Sequence, residues 1–191
     1  MDSYSYIMVI RALNIDGSDY EPMEEDDYEN LIKHLERSGK VLTAVQKEHS
    51  TLIEGVFDSL SDLWLLEDDL SFYEYYLRIS DYTSDVELED EDSSSRPDDG
   101  YGYYLSLCRL AESPEGDEIH TPIGEQEHEI FKDLLEGLGD LRVAEEREDG
   151  SFFRGYFDDL YHIDVLLDPV ALDSDSSNPI KYDLIIEDFN F

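Results

Sequence analysis

Cations, cysteine and long apolar runs are what this sequence has least of. Only 13 of its 191 residues are Lys or Arg, against 50 Asp or Glu, so the formal net charge is −37. Cations this scarce exclude phosphate recognition by the usual Lys and Arg clusters. A negative charge this large also repels DNA, RNA and anionic membrane surfaces. The single cysteine, Cys108, excludes an internal disulfide and, set in an apolar stretch, reads as a small buried hydrophobe. The N-terminus, Met1-Asp2-Ser3-Tyr4, lacks the basic start of a signal peptide. No apolar run approaches the roughly 20 residues that span a bilayer. A soluble, cytoplasmic protein is expected, without contact with nucleic acid or membrane.

High net charge implies disorder only where hydrophobicity is also low. Here 40% of residues are apolar and 12% aromatic, including 14 Tyr and 8 Phe, so the chain can bury a core. The exception is Thr83–Gly100, TSDVELEDEDSSSRPDDG, whose acids, Ser and Pro read as a self-repelling linker.

That linker separates two similar segments. Residues 21–60 laid on 121–160 without a gap give 12 identities in 40 positions, among them Pro22/Pro122, Gly39/Gly139, Gly55/Gly155 and Phe57/Phe157. The likeness extends outward with small shifts: Tyr6–Ile10 resembles Tyr103–Leu107, and Tyr75–Tyr82 resembles Tyr182–Phe189. The sequence therefore reads as a tandem duplication, with a first repeat at 1–82, the linker at 83–100 and a second repeat at 101–191.

Each repeat carries the same local signals. Strands are expected at Tyr4–Leu13 and Gly102–Leu110, rich in β-branched and aromatic residues. Helices follow at Glu25–Ser38 and Glu125–Leu138, each behind a Pro and each with an apolar stripe; acids crowd their first turns. Gly39 and Gly139 read as left-handed C-caps. Hairpins are expected at Lys40–Phe57 and Leu141–Phe157, the second turning at Asp149-Gly150. Leu63–Leu66 with Phe72–Ser80, and Ile163–Leu167 with Ile180–Glu187, complete each repeat as strands. The expected fold is α+β, a duplicated β-α-β-β-β-β module, each copy an antiparallel sheet with one helix packed on it.

Motifs for chemistry are missing. Carboxylate pairs occur everywhere, so no catalytic pair stands out, and a general acid would need burial that these polar stretches do not promise. The segment Asp173-x-Asp175-x-Ser177 starts like a calcium loop but has Asn178 where Gly is required and Leu184 where Glu is required. The five His and one Cys lack zinc-ligand spacing, and neither a phosphate loop nor a nucleophile elbow is present. No catalytic residue, metal ligand or cofactor is assigned, and the chain does not read as an enzyme.

The charge itself then becomes the candidate function. Duplex DNA carries one charge per roughly 1.7 Å of its axis, and a folded surface lined with Asp and Glu can imitate that field. Tyr among the acids suits a partner that presents Arg and Lys. The acids that qualify are Glu24, Glu25, Asp26, Asp27, Glu29, Asp58, Asp62, Glu67, Asp68 and Asp69 in the first repeat, and Glu125, Glu127, Glu129, Asp158 and Asp159 in the second. In composition the chain resembles the phage-encoded antirestriction and anti-CRISPR DNA mimics, which are small, soluble and strongly acidic. The resemblance implies an inhibitor of a basic nucleic-acid-binding protein, such as a nuclease, restriction enzyme or CRISPR effector, acting in the host cytoplasm. Two alternatives share the charge: an immunity-type inhibitor of a cationic toxin or nuclease, and a salt-adapted protein of unrelated function.

Overall fold

The computed structural model describes residues 3–13, 19–61, 63, 66–82, 101–157, 159–173 and 177–188, excluding the side chains of Glu67, Asp68, Asp168, Ala171, Leu172 and Asp188. The expected linker, 83–100, lies outside the described residues. The first half runs β1 (Tyr4–Leu13), β2 (Tyr20–Glu21), α1 (Glu25–Ser38), β3 (Gly39–Gln46), β4 (Thr51–Phe57), α2 (Leu66–Leu70) and β5 (Glu74–Ser80). The second half runs β6 (Tyr101–Glu112), β7 (Glu118–Thr121), α3 (Glu125–Leu138), β8 (Gly139–Arg147), β9 (Gly150–Phe157), α4 (His162–Asp173) and β10 (Lys181–Asp188).

The strands among the described residues form one antiparallel sheet of ten, in the order β3-β4-β1-β5-β10-β6-β9-β8, with β2 on β1 and β7 on β6. The expectation of a separate sheet in each half is corrected here. β5 pairs with β10 from Asp183↔Ser80 to Asp188↔Tyr75. Two edges that would otherwise expose unpaired backbone groups satisfy each other. The free outer edges, β3 and β8, each carry a register break, between Val41 and Thr43 and between Leu141 and Val143. Such bulges twist an edge away from further pairing.

One face of the sheet holds the core. Tyr6, Met8 and Ile10 on β1 alternate inward and are joined through register partners to Leu77 and Ile79 on β5, Leu184 and Ile186 on β10, and Tyr103 and Leu105 on β6. Leu31 and Leu35 of α1, Phe131 and Leu135 of α3, and Ile163, Leu166 and Leu167 of α4 pack into the same cluster. The helices therefore cover one face, and their 3.6-residue stripe meets the 2-residue alternation of the strands. Burying apolar area at about 25 cal/mol per Å² makes this face the main source of stability.

Corresponding contacts recur in both halves. Tyr6 stacks on Phe57 at a centroid distance of 4.0 Å, and Tyr103 on Phe157 at 4.1 Å. Tyr6 pairs with Gly55, and Tyr103 with Gly155. Met23 N–H donates to Thr51 Oγ1 at 3.1 Å, and Ile123 N–H to Ser151 Oγ at 3.4 Å.

Three local expectations are corrected. Ile163–Leu167 lies in α4 and Leu66 opens α2, while residues 64 and 65 of the other expected strand lie outside the described residues; short apolar runs cannot be told apart by periodicity alone. Gly39 and Gly139 have φ of 168° and 178°, which is extended backbone. They are glycines for space, because a Cβ would collide with the carbonyl oxygens of Val56 and Tyr156. The β8–β9 hairpin forms, with Arg147 paired to Gly150. Its turn at Glu148-Asp149 has no positive φ, so it is neither of the primed types that Asp-Gly favours.

Candidate functional site

The acids nominated by the sequence fall into three sets. Glu24, Glu25, Asp26 and Glu29 on the first turns of α1, and Glu125 and Glu129 on α3, are exposed, as are Asp58 and Asp159 in the turns after β4 and β9. Asp27, Asp69 and Glu127 are instead half-buried in internal contacts. Asp62 and Asp158 lie outside the described residues, as do the side chains of Glu67 and Asp68.

The exposed acids sit where helix geometry puts them. The apolar residues Leu31 and Leu35 turn α1 so that Glu25, Asp26 and Glu29 face away from the sheet. Phe131 and Leu135 do the same on α3 for Glu125 and Glu129. The first-turn acids also lie at the positive end of each helix dipole, worth roughly 0.3–1 kcal/mol apiece, so part of their presence is structural. Glu29 meets Lys33 at 3.7 Å and Glu129 meets Lys132 at 3.6 Å; both are exposed pairs of little energetic weight. Asp159 accepts the Tyr161 N–H at 2.8 Å, which assigns its carboxylate to the turn before α4.

The half-buried acids hold the helices down. Tyr73 Oη donates to Asp27 at 2.6 Å, tying α1 to the start of β5. Burial and this bond push the Tyr73 hydroxyl up to about 12. His34 Nδ1 pairs with Asp69, joining α1 to α2. Arg109 pairs with Glu127 at 3.6 Å and Asp173 at 3.0 Å, so one cation binds both α3 and α4 to β6. Asp173, the first residue of the calcium-like segment, also accepts the Ile180 N–H at 2.7 Å. Among the described residues, no group of three or more His, Cys, Asp or Glu is placed to hold a metal ion.

The arginines show a feature that the sequence reading missed. Arg11, Arg78, Arg142, Arg147 and Arg154 all lie on the sheet face away from the core. Arg11 reaches Glu74 at 3.0 Å and covers the Tyr20 ring. Arg78 binds Asp183, Arg142 meets Asp140 at 2.6 Å, and Arg147 lies over the Phe152 ring at 4.7 Å. Arg154 lies over Tyr104 at 4.9 Å. These five arginines share the face away from the helices with Glu54, Glu74, Asp140, Glu145 and Asp183, while Lys33, Arg37 and Lys132 accompany the exposed acids of α1 and α3.

That second face is also apolar. Ile7, Leu42 and Val45 are 42%, 59% and 44% exposed, beside half-buried Val9, Leu52, Val56, Tyr76, Tyr104, Phe152 and Tyr156. No described helix covers it. The signal was present in the sequence: in Tyr4–Leu13 every residue but Ser5 and Arg11 is apolar. A strand with one solvated face should alternate instead.

Compared with protein-family models and with curated proteins, the chain matches none. Among the described residues no helix is long and apolar enough to cross a membrane.

Proposed function

We propose that this chain is an acidic DNA mimic that occupies the nucleic-acid site of a basic protein, as an anti-defence inhibitor would. The carrying observation is the excess of carboxylates over cations on α1 and α3. Glu25 and Glu29 on α1, and Glu125 and Glu129 on α3, project outward from matching helices, while five arginines sit on the opposite side of the sheet. A basic groove approaching the helical side meets these carboxylates in excess over Lys33, Arg37, Lys132 and Arg109, the cations on that side. Electrostatic steering then raises the association rate.

A tandem origin for the two halves supports the same reading, because repeated acidic helices extend the negative surface as a duplex extends its phosphates. The 12 identities in 40, the shared element order and the equivalent pairs Tyr6↔Gly55 and Tyr103↔Gly155 favour that origin.

The test is capture on the immobilised chain from a host lysate, followed by challenge with duplex DNA at constant ionic strength. The mimic releases a basic nucleic-acid-binding protein when DNA is added. Failure to capture a basic protein overturns the proposal. A captured cationic protein that DNA does not displace points instead to an immunity-type inhibitor.

A further inference from the structure

We propose that Asp81 and Tyr82 form a clasp across the seam between the two halves, and that this clasp opens by itself, with strands and helices intact, to uncover a buried polar strip on the sheet. The clasp begins where β5 ends. Ser80 is the last β5 residue in register with β10, opposite Asp183. The next two residues turn to the second half.

Asp81 grips β10. Its N–H donates to the Tyr182 carbonyl at 3.1 Å, and its carboxylate accepts the Tyr182 N–H at 2.8 Å and the Lys181 ammonium at 3.2 Å. Tyr82 reaches one strand further. Its hydroxyl shares a hydrogen bond with the Ser106 hydroxyl on β6, and its ring stands edge-on to His120 of β7 at a centroid distance of 5.1 Å. Two residues of the first half thus hold three strands of the second.

The strip beneath is polar and buried. Ser106 and Cys108 flank inward Leu107, so they point away from the helices, and Asp183 and Lys181 are their register partners on β10. On a solvated sheet face such residues meet water. Here Ser106, Cys108 and Asp183 are 2%, 0% and 1% exposed. Among the described residues, Asp81 and Tyr82 are the ones that cross this strip. Burial raises the Tyr82 hydroxyl and pushes the Cys108 thiol up to about 11. The first half has Val9 and Tyr76 where the matching segments of the second have Ser106 and Asp183. The sheet therefore does not need this strip for its architecture.

The clasp is the weakest part of the seam. Parting β5 from β10 would break six register pairs, separate Arg78 from Asp183 and wet the buried Leu77, Ile79, Leu184 and Ile186. Lifting the clasp breaks the bonds of Asp81 and one hydroxyl contact, and moves a single ring. The Asp81 and Lys181 side chains are already 32% and 29% exposed, so water replaces their bond readily. Segments with few buried apolar contacts and accessible hydrogen bonds open at free energies well below that of global unfolding. The strip then has a sealed and an open state within one folded molecule, whatever partner the acidic helices meet.

Labelling of Cys108 by an aromatic disulfide reagent, measured against urea concentration, tests this. The Cys108 thiolate attacks one sulfur of the reagent, which forms a mixed disulfide on the protein and releases the other half as a coloured thiolate. Below the unfolding transition, the labelling rate of the unmodified chain rises with urea far less steeply than the global unfolding equilibrium, because clasp release exposes little surface. Asp81→Ala raises that rate by about tenfold or more, the scale of hydrogen bonds lost from a charged group. Rates are compared per thiolate, from their pH dependence, because the Asp81 charge also raises the thiol. Tyr82→Ala speeds labelling at least as much, by removing the cover itself. Circular dichroism in urea gives the global stability of each variant. A rate in the unmodified chain that follows global unfolding overturns the proposal, whether or not the variants fold. So does a shallow urea dependence whose rate Asp81→Ala leaves unchanged.

Discussion

Arg78 and Asp183 face each other across the seam between β5 and β10, with Arg78 Nε donating to Asp183 Oδ1 at 2.7 Å and Nη2 reaching Oδ2. Asp183 is 1% exposed, and this forked ion pair links the two halves of the sheet. Hydrogen bonding to Asp183 raises the guanidinium's affinity for its proton. Replacing one partner leaves a buried charge without compensation, whereas replacing both by apolar residues removes the desolvation cost as well. Asp183→Asn or Arg78→Ala is therefore expected to lower stability by about 3 kcal/mol or more, and R78M/D183L to recover most of it. Urea denaturation of the four proteins measures this. Equal losses in the single and double variants would assign the pair no coupling.

Glycine at 55 and 155 is a packing requirement. A Cβ on Gly55 would lie 2.5 Å from Tyr6 Oη, and one on Gly155 would lie 2.8 Å from Tyr103 Oη. Gly55→Ala and Gly155→Ala should each cost about 1–3 kcal/mol through overpacking. Tyr6→Phe removes a buried hydroxyl that has no hydrogen-bond partner among the described residues, and is expected to be neutral or slightly stabilising. Chemical denaturation distinguishes the two classes by sign.

Stability should fall in alkali. Burial pushes the Tyr6 hydroxyl up to about 12, and burial with the Asp27 bond does the same for Tyr73. Both groups are neutral when protonated, and their unfolded value is about 10. Their contribution is therefore complete below about pH 10 and is lost as pH rises through about 12. Tyrosinate absorbance followed together with circular dichroism should show these two residues ionising only as structure is lost. Ionisation near pH 10 with the fold intact would contradict their burial. The Cys108 thiol, which burial pushes up to about 11, should react slowly with a disulfide reagent until that same transition.

Neutralising helical acids should weaken partner binding by degrees. Glu25→Gln, Glu29→Gln, Glu125→Gln and Glu129→Gln each remove one exposed carboxylate without touching the core. Each is expected to slow association by a small factor, with the effects accumulating and shrinking at high salt. An enzyme would instead lose its activity abruptly at one buried carboxylate. Association kinetics at two ionic strengths separate the outcomes.

Helices α1 and α3, the first strand of each half and both hairpins were legible because their signals are local: an apolar stripe, a preceding Pro, a run of β-branched residues. α4 was not, because Pro169 lies within it and its short apolar run Val165–Leu167 reads equally well as a buried strand. The joining of β5 to β10 was hidden for a different reason. Pairing between distant strands leaves no mark in either segment, and Arg78 and Asp183 are 105 residues apart. Acid positions could be counted in the sequence, but not sorted. Only the fold separates Glu25 and Glu29, which face solvent, from Asp27 and Glu127, which hold Tyr73 and Arg109.

Competition between duplex DNA and this chain for one basic partner tests the central claim most directly. With ionic strength fixed, the account predicts that increasing DNA lowers the apparent affinity of the chain in proportion to DNA occupancy, as two ligands of one site must. Formation of a ternary complex, or an affinity that DNA leaves unchanged, would contradict it.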